Sequence, residues 1–179
     1  MLRSKNIIKE TDKNGNILHY KNSNGYEYWN EYDENNNILH SKVLNGKEKW
    51  YEYDDHSNMI HYKDSDGRES WREYNENCDL IHIKNSSGYE GWYDYDNNHH
   101  ILRFTDSTGV ENEYTYHGKT KTIIRRMPNG LESINEYDEY DNIIYHNDST
   151  GLEYWKKYDE NRNCIYFRDA EGNEEFYED

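Results

Sequence analysis

Proline occurs once in the 179 residues, at Pro128, cysteine twice and phenylalanine three times. Apolar residues make up only 32% of the chain, and mean hydropathy is −1.43. No stretch approaches the roughly 20 consecutive apolar residues that cross a bilayer as a helix. The polar opening from Met1 to Asn16 has no apolar core of the signal-peptide kind. A cytoplasmic protein with no membrane-bound segment is therefore expected. Cys78 and Cys164 stand at different positions of their repeats. Two cysteines so placed form neither a disulfide framework nor a metal-type pair, and free thiols suit a reducing compartment.

Positive charge is also scarce: 21 Lys and Arg stand against 37 Asp and Glu, for a formal charge of −16. An acidic surface repels phosphate backbones and anionic lipid, so neither nucleic acid nor membrane is the expected partner. A basic protein is the simplest complement. Acidity also keeps an aromatic sheet soluble, which is the plainer explanation of the same charge.

So little apolar content borders on that of disordered chains. Against this stand 20 Tyr, five Trp and three Phe, whose rings bury apolar area while their polar atoms stay hydrated or hydrogen-bonded. A thin, two-sided sheet can be built from such residues.

The aromatic residues are periodic. Gly25, Gly46, Gly67, Gly88, Gly109, Gly130, Gly151 and Gly172 recur every 21 residues without insertion or deletion. Two residues after each comes Glu27, Glu48, Glu69, Glu90, Glu111, Glu132, Glu153 or Glu174. Four after comes Trp29, Trp50, Trp71, Trp92 or Trp155, replaced by Glu113, Ile134 and Phe176 in the other copies. Seven after stands Tyr32, Tyr53, Tyr74, Tyr95, Tyr116, Tyr137 or Tyr158, and fourteen after an apolar residue such as Leu39, Ile60 or Ile144.

Each unit reads as two short strands separated by two turns. One turn is NSNG, DSDG, NSSG or DSTG, ending on the periodic Gly. An Asx that bonds its own backbone, followed by Gly at positive φ, makes a type I turn with a bulge. The other turn follows the Tyr, as in Asp33-Glu34-Asn35-Asn36 and Asp12-Lys13-Asn14-Gly15. The fold class is thus all-β: tandem hairpins in a long, twisted antiparallel meander of about sixteen strands, coiling into a spiral or a partly closed barrel. The array is read as one domain over residues 1–179, with a partial copy over 1–24, seven repeats from Gly25 to Gly151, and a truncated copy from Gly172.

A register follows. If the Asx before each Gly faces the residue after it, Lys21, Lys42, Lys63, Lys84, Arg126 and Arg168 face Glu27, Glu48, Glu69, Glu90, Glu132 and Glu174. His19, His40, His61 and His82 then face the four tandem Trp. Where Trp is lost the partner changes as well, giving Arg103 with Glu113 and Ile124 with Ile134. An odd unit must absorb one residue per repeat in a bulge to keep its faces constant, and the Gly turn is expected to carry it.

At this point the residues resemble the YD repeat of RHS-type proteins. The matching segments are Tyr32-Asp33, Tyr53-Asp54, Tyr95-Asp96, Tyr137-Asp138, Tyr158-Asp159 and the opening NGNILHY, and the likeness runs over nearly the whole chain. In that family long arrays form hollow shells around a toxin domain, and this array is too short to enclose one. The resemblance together with the charge implies an immunity protein of a bacterial polymorphic or contact-dependent growth inhibition toxin. Its partner would be a basic toxin domain such as a nuclease, neutralised in the cytoplasm. The alternative is a structural or ligand-binding aromatic repeat of the YD or choline- and glucan-binding type.

Catalytic and cofactor chemistry finds no footing in the motifs. Histidines at one repeat position lie about 9.5 Å apart across two strands, too far to share a metal at bond lengths of about 2 Å. The Asp-x-Asn turns lack the distal acid and the helices of a calcium loop. No phosphate loop or nucleophile motif occurs. No enzyme activity, cofactor or metal is therefore expected. The candidate partner-binding residues are Glu31, Glu52, Glu73, Asp94 and Glu136, which face no base in the register, with Trp29, Trp50, Trp71 and Trp92. The stretch from Val110 to Gly130 breaks the pattern, with Pro128 suited to a turn or an edge.

Overall fold

The computed structural model describes residues 7–177. It contains 17 strands and, among the described residues, no helix. The chain divides into two compact units, the first ending at Glu90 and the second beginning at Gly91.

The first unit holds β1 (Ile8–Thr11), β2 (Ile17–Lys21), β3 (Glu27–Tyr32), β4 (Ile38–Val43), β5 (Glu48–Tyr53), β6 (Met59–Asp64), β7 (Glu69–Tyr74) and β8 (Leu80–Asn85). The second holds β9 (Glu90–Tyr95), whose leading Glu90 closes the first unit, then β10 (Ile101–Asp106), β11 (Glu111–His117), β12 (Thr120–Arg126), β13 (Glu132–Tyr137), β14 (Ile143–Asp148), β15 (Glu153–Tyr158), β16 (Cys164–Asp169) and β17 (Glu174–Phe176). Within each unit a strand pairs antiparallel with its chain neighbours and, among the described residues, packs against no other element. Among the described residues neither unit has a second layer. Val110 is the one buried apolar side chain among the described residues.

The expected register is present. Lys21 pairs with Glu27, Lys42 with Glu48, Lys63 with Glu69, Arg126 with Glu132 and Arg168 with Glu174. The replaced pairs Arg103–Glu113 and Ile124–Ile134 also face each other.

The bulge is not where it was expected. Both turns are three-residue loops of the same kind. Asn22 N–H donates to Tyr26 O and Gly25 N–H to Asn22 O, just as Asp33 N–H donates to Asn37 O and Asn36 N–H to Asp33 O. Each ends on a residue at positive φ, Gly25 (+83°) in one and Asn36 (+68°) in the other, so neither turn differs from the other in parity. The odd residue drops out in the hairpin closed by the Tyr-Asp turn. Thr11 pairs with Ile17 but Glu10 with His19, and Tyr32 with Ile38 but Glu31 with His40. Leu18 and Leu39 therefore oppose nothing, and Ile60, Ile81, Leu102, Ile144 and Ile165 repeat the pattern. The periodic apolar residue fourteen places after Gly is the bulged residue.

The periodic Tyr is tied to this bulge. A bulged residue disrupts the hydrogen-bond ladder beside it. Tyr32 Oη donates to Ile17 O at 3.2 Å, and Tyr74 Oη to Met59 O at 3.2 Å. In the second unit Tyr116 and Tyr158 bond Ile101 O and Ile143 O in the same way. Each acceptor immediately precedes a bulged residue. Burial pushes the phenols of Tyr74, Tyr116 and Tyr158 above their ordinary value, which keeps them as donors.

The irregular repeat meets the parity requirement differently. Gly118 and Lys119 form a two-residue turn between His117 and Thr120, with Gly118 at φ +64°. An even loop gives the odd pairing sum directly, and β11 pairs with β12 continuously, with no bulge. Pro128 takes the second place of the Met127–Gly130 turn, where its fixed φ fits. Its Cγ lies 3.0 Å from where a Cβ on Gly109 would stand, so a side chain there would have to displace the proline ring slightly.

Two outcomes follow from the turns. Cys78 holds φ +63° at a position where Gly has little conformational cost. Cys78→Gly should therefore raise stability by about 0.5–1 kcal/mol, whereas Gly46→Ala, at φ +84°, should lower it by about 1–2 kcal/mol, both read from urea unfolding.

The turn aspartates set the acid limit. The hydroxyl of Thr150, with backbone N–H groups of Thr150 and Leu152, outweighs burial and holds Asp148 at about 2. Asp33 and Asp54 are lowered chiefly by the amides of Asn37 and Asn58. Folded carboxylates below the unfolded value contribute stability that is complete above about pH 4 and lost as pH falls towards about 2. The aromatic circular dichroism should persist to about pH 4 and collapse below it; a signal unchanged at about pH 2 would mean that these turns do not limit acid stability.

Candidate functional site: the ladder face of the first unit

Alternation places the periodic Glu, the Trp two residues on and the acid two further on along one face of β3, β5 and β7. The register adds the His and Lys of β2, β4, β6 and β8 to the same face. Crossing the strands gives rows such as Glu31–His40–Trp50–Lys63–Glu69 and Glu52–His61–Trp71–Lys84, each step a paired position. The opposite face carries Tyr28, Tyr51, Tyr62 and the bulge-bonding Tyr. It is stitched by ring contacts such as Tyr20–Tyr28 at 5.4 Å and Tyr51–Tyr62 at 5.4 Å.

On the ladder face each imidazole stacks on its indole. His19–Trp29, His40–Trp50 and His61–Trp71 have centroids 5.0, 5.3 and 5.4 Å apart and interplanar angles of 7°, 10° and 12°. The sequence expectation of a His packed beside Trp is met for these three. The Trp edges remain accessible, with Trp50 and Trp71 each 39% exposed.

The periodic Glu is bound from two sides. Glu27 takes Lys21 Nζ at 2.8 Å and His19 Nε2 at 2.9 Å. Glu48 takes Lys42 and His40, each at 2.9 Å. Lys21 and then His19 outweigh burial and hold Glu27 below the usual carboxylate range, and Lys42 with His40 does the same to Glu48.

Glu31, Glu52 and Glu73 were expected to be unpaired. They are exposed, with side chains 75%, 68% and 68% accessible, yet each meets the other ring nitrogen of a histidine. His40 Nδ1 lies 3.4 Å from Glu31, His61 Nδ1 3.0 Å from Glu52 and His82 Nδ1 3.1 Å from Glu73. Histidine as a bridge between two glutamates is the feature the sequence reasoning missed. Only the bulge brings the acid six residues after Gly opposite the His fifteen after it, so the pairing was not legible without the bulge's location.

The structure thus gathers Trp29, Trp50, Trp71, Glu31, Glu52 and Glu73 on one face. The remaining candidates lie in the second unit. Trp92 and Asp94 sit on β9, with Asp94 opposite Arg103. Glu136 on β13 faces Tyr145 and borders an open depression floored by Tyr145, Trp155 and Tyr166, with Lys157 on its rim. Here Arg and Tyr replace the histidines as donors to the periodic Glu: Arg103 reaches Glu111 at 2.7 Å and Tyr145 reaches Glu153 at 2.8 Å. Among the described residues, no group of three or more His, Cys, Asp or Glu is placed to hold a metal. Cys78 and Cys164 are free thiols.

Comparison with solved structures places this geometry. The crystal structure titled TcdB2-TccC3-Cdc42 matches 90% of the chain at TM-score 0.51 and 13% identity. This is a YD/RHS-like β-repeat fold. The chain spans only 13% of the length of that neighbour. A second crystal structure, titled TcdB2-TccC3-TEV, matches 92% of the chain at TM-score 0.37 and 11% identity, over 12% of its own length. A Tc holotoxin pore from Photorhabdus luminescens matches 93% of the chain at TM-score 0.28 and 10% identity, over 15% of its own length. No protein-family model and no curated protein matches the sequence. The YD-like repeat accounts for the Tyr, the turn that follows it and the hairpin succession.

Proposed function

We propose that the chain is a protein-binding module whose ladder face engages a basic protein, acting by binding rather than by catalysis. More specifically, it is an immunity protein that neutralises a basic toxin domain, such as a nuclease, in the cytoplasm. The observation that carries this reading is the pairing of exposed Glu31, Glu52 and Glu73 with the accessible indoles of Trp50 and Trp71 on one face. Acids speed the approach of a basic surface, and aromatic residues at a contact centre slow its departure. The Tc toxin setting of the structural neighbour supports a toxin context, and the charge of −16 supports a basic partner.

A second reading, a structural or ligand-binding aromatic repeat, draws on the depression floored by Tyr145, Trp155 and Tyr166. The two readings place the contact in different units.

The test is association with a basic toxin domain of the nuclease kind. Charge reversal of Glu31, Glu52 and Glu73 to Lys should slow association by about tenfold at low salt and by much less at high salt. Trp50→Ala with Trp71→Ala should instead speed dissociation. An association rate indifferent to salt and to charge reversal would sink the acidic-face mechanism. Loss of binding on Trp155→Ala alone would favour the second reading.

A further inference from the structure

A neutral imidazole carries one N–H and one lone pair, whereas imidazolium donates from both nitrogens. At His61 both nitrogens face carboxylate oxygens, Nδ1 at 3.0 Å from Glu52 Oε1 and Nε2 at 2.9 Å from Glu69 Oε1. Ionised carboxylates only accept. Both bonds can therefore be made together only by the protonated ring, and a neutral ring must give one up. The charged groups around it are few. Glu52 comes from β5, Glu69 from β7, and Lys63 of its own strand faces Glu69 at 3.8 Å; uncharged Trp71 stacks on the ring. Glu69 is the better shielded of the two acids, with a side chain 24% exposed against 68% for Glu52. The bond lost on deprotonation is accordingly the one to Glu52, which water can solvate at once.

We propose that His61 is a proton-operated latch on the ladder face. Protonated, it holds Glu52 against the sheet and cancels its charge; neutral, it frees Glu52, so that the face binds a basic partner more tightly as pH rises. The proposal rests on the binding role above and adds its regulation. Burial, the largest single effect, lowers His61, but its hydrogen bonds to Glu52 and Glu69 together overcome it, so that His61 lies above its ordinary value near 6.5. A His raised on folding contributes stability that is complete below about pH 6.5 and lost as pH rises through the folded value. The latch is thus closed where the unit gains most from it and open where the face is most acidic. The same bracket recurs with longer outer contacts at His40, 3.4 Å from Glu31, and at His19, 3.6 Å from Glu10.

The experiment follows the imidazole proton resonances of the full chain by NMR through pH, and in parallel measures binding of an oligolysine peptide at about pH 5.5 and about pH 8 in low salt. Glu52→Gln should lower the His61 midpoint while leaving the fold intact. Wild type should bind oligolysine on the order of 2–5-fold more tightly at the higher pH, and His61→Gln should shrink that ratio. A His61 midpoint unmoved by Glu52→Gln overturns the latch. So does a pH ratio that is the same in His61→Gln as in wild type, and in that case the binding role survives. Absence of oligolysine binding at either pH defeats the binding role and its regulation together.

Discussion

An odd repeat cannot keep its side chains on constant faces of an antiparallel sheet unless one residue per unit falls out of register. Most of the structure follows from that parity. The residue that falls out is the periodic Leu or Ile after the Tyr-Asp turn. The carbonyl just before it accepts a bond from the periodic Tyr of the following repeat, as Tyr32, Tyr74, Tyr116 and Tyr158 show. The Tyr that marks the repeat in sequence thus has a structural task, tying one unit to the bulge of the unit before it. The hairpin of β11 and β12 tests the logic from the other side. Its two-residue turn is even, the parity is already correct, and no bulge forms.

Keeping the faces constant has chemical consequences because there is no core to absorb errors. Each unit is a single layer, so the polar atoms of its rings need partners on the sheet itself or in water. The first unit answers with rows of Glu, His, Trp and Lys on one face and bonded Tyr on the other. Stacked rings and charge-assisted hydrogen bonds recur along the rows of the first unit. A shift by one residue would send Tyr28 to the ladder face and Trp29 to the other, breaking each row at once. The same arrangement leaves both faces accessible to a partner. The second unit keeps the frame but exchanges the donors, Arg103 and Tyr145 standing where the first unit has His.

Much of this was legible in the residues. The 21-residue spacing gave the strands and turns. Substitutions matched across a strand pair, Arg103 with Glu113 and Ile124 with Ile134, gave the register. The location of the bulge was not legible, because both turns end on a positive-φ residue and only Gly advertises it. Ser57, Cys78, His99 and Arg162 adopt the same conformation without a sequence signal. An apolar residue in a regular place reads as core, and nothing in its side chain says that it opposes no partner.

The sequence by itself determined the repeat, the order of strands, the pairing across the Gly turns and the acidic balance, since these depend on spacing and composition within one or two neighbouring segments. Only the tertiary structure decided that Glu31, Glu52 and Glu73 meet histidine nitrogens and that His61 bridges two acids. The physical reason is that a bulge shifts pairing by one residue on one side of one hairpin. With that shift the Tyr hydroxyl, the imidazole and both carboxylates find partners together.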